Sequence, residues 1–167
     1  LKRKKSYKDS KKYYEKAIEV NSNFAIAHYE FGLLLVILKE FDNAKTHLEK
    51  ATDLDQNFDD AYYQLASILK DPEEFDKAKK NYETTIDINS KHLLAHYYLG
   101  KLLVGGYQLD EDGSRVNKPD IDNAKKYFKK TIELDENFYK AYYNLAKIEK
   151  LNNNLQEAEK NFLKVIK

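Results

Sequence analysis

The sequence predicts an all-α solenoid of stacked antiparallel helix pairs, and three observations carry that prediction. Asn-Phe followed shortly by Tyr-Tyr-x-Leu-Ala occurs at Asn57 to Ala66 and again at Asn137 to Ala146, with variants at Asn23 to Gly32 and Lys91 to Gly100. The steps Ala25 to Asp59 and Asp59 to Leu93 are 34 residues each, while Leu93 to Tyr139 is 46, the same period carrying 12 extra residues. Each period holds two apolar runs at helical spacing, separated by a short polar break. A unit this small cannot bury its own apolar face, so it must stack on copies of itself.

The elements follow in order. Residues 1–24 are a partial unit in which Tyr7, Ser10, Tyr14, Ala17 and Ile18 match a second helix and Leu1 to Lys4 the last turn of a first. Full units follow at 25–58 and 59–92. In the latter, Tyr62, Leu65, Ala66 and Leu69 recur at i, i+3, i+4 and i+7, and Phe75, Ala78, Tyr82 and Ile86 continue after Lys70 to Glu74. Pro72 breaks that unit, because it has no N–H and disfavours helix at Asp71. Ile88-Asn89-Ser90-Lys91 breaks the next, with short polar side chains that compete for backbone hydrogen bonds. The spacing predicts helices of 12 to 15 residues. The unit 93–138 carries an insertion at about 105–119, and 139–167 is a last partial unit. In the insertion, Tyr107 to Asp110 and Ser114 to Asn117 have strand-like content and Glu111-Asp112-Gly113 supplies turn residues, so a small β-hairpin or compact loop is expected. Small residues stand at one equivalent position, Gly32, Ala66, Gly100 and Ala146, and at another, Ala44, Ala78, Ala124 and Ala158, where backbones must approach.

Composition narrows the function. Charged residues make up 34% of the chain, yet the net charge is +1, so no overall field gathers nucleic acid or anionic lipid. The longest apolar run, Leu33 to Leu38, is far short of the roughly 18 residues that span a bilayer. With no cysteine the chain has no disulfide, no thiolate chemistry and no sulfur-ligated zinc, and its compartment is left undetermined, the cytoplasm being favoured weakly. The register predicts a piece of a longer array, since neither end shows the polar cap that repeats need.

The order aromatic, Leu-Gly/Ala, apolar, aromatic, Ala, aromatic, apolar resembles the tetratricopeptide repeat. It stands as Tyr62, Leu65-Ala66, Leu69, Phe75, Ala78, Tyr82, Ile86, and as Tyr142, Leu145-Ala146, Leu155, Ala158, Phe162, Ile166. The proline that the family often places after the second helix is replaced by Ser22, Gln56, Ser90 and Glu136, and Thr85 and Thr131 replace a small Ala. The longer loop at Gly105-Gly106 resembles the related Sel1-like repeat. The resemblance implies a right-handed superhelix and a non-catalytic protein-interaction module.

It also implies an inner groove lined by first helices, where Tyr29, Tyr63, Tyr97 and Tyr143 form a column. Ile26, Leu33, Val36 and Ile37 lie beside one end, and Tyr98, Lys101, Lys140, Lys147 and Lys150 beside the other. The expected partner is a protein or peptide segment with an acidic portion, held by this chain as adaptor or scaffold. Alternatively the tyrosines pack between neighbouring first helices and the array is a spacer, or associates weakly end to end through Tyr14, Ile18, Phe162 and Ile166. Arrays that clamp the C-terminal carboxylates of heat-shock chaperones resemble one another at five groove positions. Here those positions hold Tyr63, Ser67, Tyr98, Lys140 and Asn144, and Lys140 alone agrees.

No catalytic constellation and no cofactor motif stands out. His28 and His96 occupy the position that Tyr62 and Tyr142 fill elsewhere, which reads as helix packing with one ring nitrogen bonded. His92 and His96 have i, i+4 spacing but no further ligand, and His47 lies on a different helix. Asp110, Glu111, Asp112, Asp120 and Asp122 invite a calcium reading that fails the EF-hand pattern at Arg115 and Ile121. The alternative is a solvated turn with Asp120 or Asp122 capping the next helix. The basic run Lys2 to Lys5 with Lys8, Lys11 and Lys12 reads as solvated surface.

Overall fold

The computed structural model describes residues 2–109 and 115–166. The chain forms two compact units, residues 1–70 and 71–167. The first holds α1 (Lys2–Val20), α2 (Ala25–Leu38), α3 (Phe41–Leu54) and α4 (Asp59–Ile68). The second holds α5 (Phe75–Ile88), α6 (Leu93–Val104), β1 (Tyr107–Leu109), β2 (Arg115–Asn117), α7 (Ile121–Leu134), α8 (Tyr139–Leu151) and α9 (Leu155–Val165). In the first unit α1 packs on α2, α2 on α3 and α3 on α4; in the second the order α5, α6, α7, α8, α9 likewise packs neighbour on neighbour. Helices joined by such short connections are antiparallel. The fold is therefore the helical solenoid that the repeats predict. None of the described helices is long and apolar enough to cross a membrane.

One device recurs between repeats. The side chains of Asn21, Asp55, Asn89 and Asp135 each accept a hydrogen bond from the backbone N–H two residues on, at 2.9–3.1 Å. These Asx turns end the second helix and aim the chain at the next first helix. The turns inside the repeats differ. After α2, Lys39 adopts the left-handed conformation at φ 63°, and Glu40 N–H donates to Leu35 O at 2.9 Å. After α8, Asn153 at φ 58° and Asn154 N–H to Glu149 O at 2.8 Å repeat that helix stop. Before α5 a 3-10 turn over Pro72–Glu74 takes its place, and α4 is short because Leu69 and Asp71, ahead of the proline, are already extended.

The insertion contains the expected hairpin. Tyr107, Gln108 and Leu109 pair antiparallel with Asn117, Val116 and Arg115. Its base is closed by Lys118 N–H to Gly106 O at 2.9 Å and Asp120 N–H to Leu103 O at 3.0 Å. The turn read at Glu111-Asp112-Gly113 lies outside the described residues, as do Leu1 and Lys167. One expectation needs correcting. Lys2 to Lys4 are the first turn of α1 itself, which runs 19 residues from Lys2 to Val20, rather than the last turn of a separate first helix. At 10 and 11 residues, α4 and α9 fall below the expected length.

The cores follow from the small positions. Phe31, Leu34, Leu35 and Ala44 are buried together, with Tyr7, Tyr14 and Ile18 of α1 packed against them. Gly32 lets α3 come close: a Cβ there would meet Leu48 Cγ at 2.8 Å. In the second unit Phe128 is fully buried, and a Cβ on Gly100 would lie 2.9 Å from its ring. Thr85 and Thr131, the departures from the family's small residue, are fully buried, and their hydroxyls donate to Asn81 O and Tyr127 O at 2.9 Å. Burying them therefore leaves no orphaned hydroxyl.

Gly100→Ala should lower the stability by about 1–3 kcal/mol through overpacking, and Phe128→Leu added to it should recover part of the loss, read by urea unfolding. Joining Gly106 directly to Lys118, with residues 107–117 removed, should change stability by no more than about 1 kcal/mol, because that pair already closes the hairpin base. Unfolding of the shortened chain would make the hairpin part of the packed structure.

Candidate functional site

Each first helix exposes one register of side chains. On α2 it is Ile26, Glu30, Leu33 and Ile37, of which Ile26 and Ile37 are 54% and 59% exposed and Leu33 half-buried. On α4 it is Asp60, which is exposed, with Gln64 and Ser67 half-buried. On α6 the register reads Leu94, Tyr98 and Lys101, and on α8 Lys140, Asn144, Lys147 and Leu151. The tyrosine column stands one position beside this register and is not uniform.

In the first unit Tyr29 is half-buried with its ring 4.7 Å from that of Phe58. Burial, then Asp60, Glu30 and Asp59, push its hydroxyl pKa up to about 12. Burial is the main cause, and the three carboxylates add to it through their charge. Tyr63 is half-buried on α4. The first helices of this unit carry Glu30, Asp59 and Asp60 and no Lys or Arg.

The second unit reverses the sign. Tyr97 is 6% exposed, wedged against Phe138 at 4.9 Å, Tyr98 at 5.1 Å and Phe128 at 6.0 Å. Asn144 Nδ2 donates to its hydroxyl at 3.4 Å, and burial raises its pKa. Tyr98 and Tyr143 are the exposed pair, Tyr143 resting edge-on against Phe162. Lys101 Nζ lies 5.6 Å from the Tyr98 ring, Lys140 Nζ 5.9 Å from Tyr139 and Lys147 Nζ 5.7 Å from Tyr143. All three lysines are exposed and have no carboxylate partner among the described residues. The lone acid on α6 and α8, Glu149, is 5% exposed and held by Lys125 Nζ at 2.6 Å and Asn154 Nδ2 at 3.1 Å. Lys125, first of all, holds its pKa below the ordinary value. What remains outward is uncompensated positive charge beside tyrosine rings.

The remaining candidates resolve into structural roles. His28 Nε2 faces Ser22 O at 3.2 Å and its Nδ1 faces His47 Nδ1 at 3.0 Å, so His28 donates from Nε2 and accepts from His47. His96 repeats the first contact, Nε2 to Ser90 O at 3.0 Å. His92 Nδ1 accepts from Ala95 N–H at 3.1 Å and caps α6, which commits one nitrogen of the i, i+4 pair to the backbone. Asp120 caps α7, accepting from Asn123 N–H at 3.2 Å and from Asn123 Nδ2 at 2.7 Å, while Asp110, Glu111 and Asp112 lie outside the described residues. Lys11 pairs with Glu40 at 2.8 Å, and the side chains of Lys2 to Lys5 and Lys8 are outside the described residues. Of the residues expected at the array's ends, Tyr14 and Ile18 pack on the first unit's core and Phe162 against Tyr143, whereas Ile166 is 79% exposed.

Models of the tetratricopeptide repeat match residues 1–24, 25–58 and 59–92, and a second model of the same repeat matches 127–160. No curated protein matches the chain. Among solved structures, a crystal structure of MamA is 23% identical with a TM-score of 0.82, over 99% of this chain and 90% of that one. YrrB, described as a TPR protein with an unusual peptide-binding site, is 23% identical with a TM-score of 0.75, over 99% of this chain and 79% of that one. The pilF protein of Pseudomonas aeruginosa is 16% identical with a TM-score of 0.78, over 98% of this chain and 69% of that one. At these identities the likeness shows the fold.

The histidines make stability depend on pH. Burial first, then His28 and Lys11, lowers the pKa of His47, and burial lowers that of His96 against the opposing pull of Ser90 O. The unfolded chain takes up protons near pH 6.5 where these folded rings resist them, so their contribution is complete above that pH and is lost as pH falls below it. His47→Asn with His96→Tyr, the residues found at equivalent positions Asn81 and Tyr142, should shrink the drop in urea midpoint between about pH 7.5 and pH 5.5. An equal drop in variant and parent would remove the histidines as its cause.

Proposed function

Since the chain belongs to the tetratricopeptide repeat family, whose fold is a protein-interaction module, we propose that it holds a segment of another protein on its exposed first-helix faces as an adaptor or scaffold, without catalysing a reaction on it. The observation that carries this is the set of Lys101, Lys140 and Lys147, exposed, unpaired and standing over Tyr98, Tyr139 and Tyr143. Three ammonium groups without counter-charge attract carboxylates, and the rigid tyrosines add contact area at low entropic cost. An acidic portion of the partner occupies this face of the second unit. On the first unit Ile26, Leu33 and Ile37 offer apolar anchor sites. Tyr29, Tyr63 and Tyr97 support the faces from beside or beneath them, Tyr97 as a buried wedge whose loss would cost packing before binding.

A fluorescein-labelled Glu-rich peptide with Leu and Phe residues should bind, and a Lys-rich counterpart should not, by fluorescence polarisation. Tyr98→Ala with Tyr143→Ala should weaken binding more than about tenfold, and Lys140→Glu with Lys147→Glu should do the same and flatten its salt dependence. Helicity should be unchanged in both. Binding that survives all four changes yet disappears when residues 107–117 are removed would move the site to the hairpin. Equal binding of the acidic and basic peptides would sink the proposal and favour a plain spacer.

A further inference from the structure

The net charge of +1 conceals a segregation that no repeat array requires. In the exposed register of the first unit the charged residues are Glu30 and Asp60; in that of the second they are Lys101, Lys140 and Lys147. Over the full first helices the contrast is the same. Glu30, Asp59 and Asp60 are the charged residues of α2 and α4, against Lys101, Lys140, Lys147 and Lys150 on α6 and α8, where Glu149 is buried in its pair with Lys125. The second helices mix both signs, as α3, α5 and α7 show, so the segregation belongs to one class of helix.

We propose that the occupant of these faces includes a second copy of this chain, the acidic first-unit face of one copy docking on the basic second-unit face of another. Charge complementarity argues for it. Near-zero net charge removes the long-range repulsion that would keep copies apart, while each copy carries both halves of an attractive pair. Apolar and aromatic groups stand within each charged face: Ile26 and Ile37 flank Glu30, and Leu94, Tyr98 and Tyr143 flank the lysines, each at least one-third exposed. A contact of charges alone would be weak in salt, and these groups supply area to bury. The raised pKa of the Tyr29 hydroxyl, due first to burial and then to the charges of Asp60, Glu30 and Asp59, is consistent with the acidic side. Because the two faces differ, the contact is heterologous, and copies add in series unless two exchange both faces as a symmetric pair. This assignment rests on the proposal that first-helix faces bind protein, and it names one such protein.

Sedimentation velocity of the full chain from about 5 to 200 μM should show association at about 20 mM salt and a single-chain mass at about 500 mM, where the Debye length has shrunk several-fold. Glu30→Lys with Asp60→Lys, and separately Lys101→Glu with Lys140→Glu and Lys147→Glu, should each be monomeric at low salt with helicity retained. Mixed together, the two variants should associate again, because each acidic face then meets a basic one. A parent that stays monomeric at 200 μM in low salt overturns the inference. So does association that persists in 500 mM salt, which would place the contact on apolar surface such as the C-terminal end of α9, where Leu163 and Ile166 are exposed. Glu-rich peptide binding by a monomeric parent would leave the interaction proposal standing and remove the second copy alone. Failure of both would remove both.

Discussion

Close approach of the two helices within a repeat is the constraint on which the rest depends. Gly32 against Leu48 and Gly100 against Phe128 leave no room for even a methyl group, so the larger residue of the second helix lies directly on the backbone of the first. Interiors packed to that density transmit volume changes rather than absorb them. Once this contact is set, the rotation of each first helix is fixed. Ala27, Phe31 and Leu34 of α2 and Ala95, Leu99 and Leu103 of α6 turn inward, and the register Ile26, Glu30, Leu33, Ile37 and its equivalents turn out. The exposed face is thus a consequence of core packing, and its outermost residues, such as Ile26, Asp60 and Lys140, are released from packing duty.

That release explains where individuality appears. The core positions repeat almost unchanged, Ala44, Ala78, Ala124 and Ala158 being one example, because each must satisfy the same geometry. Inter-repeat turns repeat as well, Asn21, Asp55, Asn89 and Asp135 closing the same Asx bond. The exposed register shows no such uniformity: Ile26, Asp60, Leu94 and Lys140 stand at one equivalent position. Variation confined to positions without a structural duty is what a recognition surface needs, since specificity there costs no fold stability.

Much of the fold was legible because helical periodicity and the 34-residue step are set by the core. The hairpin was legible too, its strand residues Tyr107 to Leu109 and Arg115 to Asn117 lying inside the segments expected of them. Less legible were features decided by tertiary neighbours. Nothing in the local pattern of Lys2 to Lys4 distinguishes the last turn of one helix from the first turn of another. His47 had no visible partner because the residue it meets, His28, lies 19 positions away on the adjacent helix. Glu30 and Asp60 do not repeat along the chain as the tyrosine column does, although counting i, i+4 and i+7 from Ile26 places Glu30 and Leu33 on its own face. Repetition makes the tyrosines legible in the sequence, whereas the surface that differs from unit to unit is the unrepeated one beside them.

The tyrosine column itself shows how one position can carry several physical roles. Tyr97 is buried and its hydroxyl has Asn144 as a partner, Tyr29 is half-buried against Phe58 in a field of negative charge, and Tyr143 stands half in water beneath Lys147. A phenol suits all three settings because its ring packs and its hydroxyl either donates or accepts. Phenylalanine would remove the Asn144 contact, leaving Asn144 Nδ2 its bond to Lys140 O at 2.8 Å, and a shorter polar residue would empty the wedge against Phe128 and Phe138. Repetition of tyrosine is therefore a packing solution first. Its electrostatic setting, acidic on α2 and basic on α8, is imposed by the unrepeated neighbours, and those neighbours are where partner choice resides.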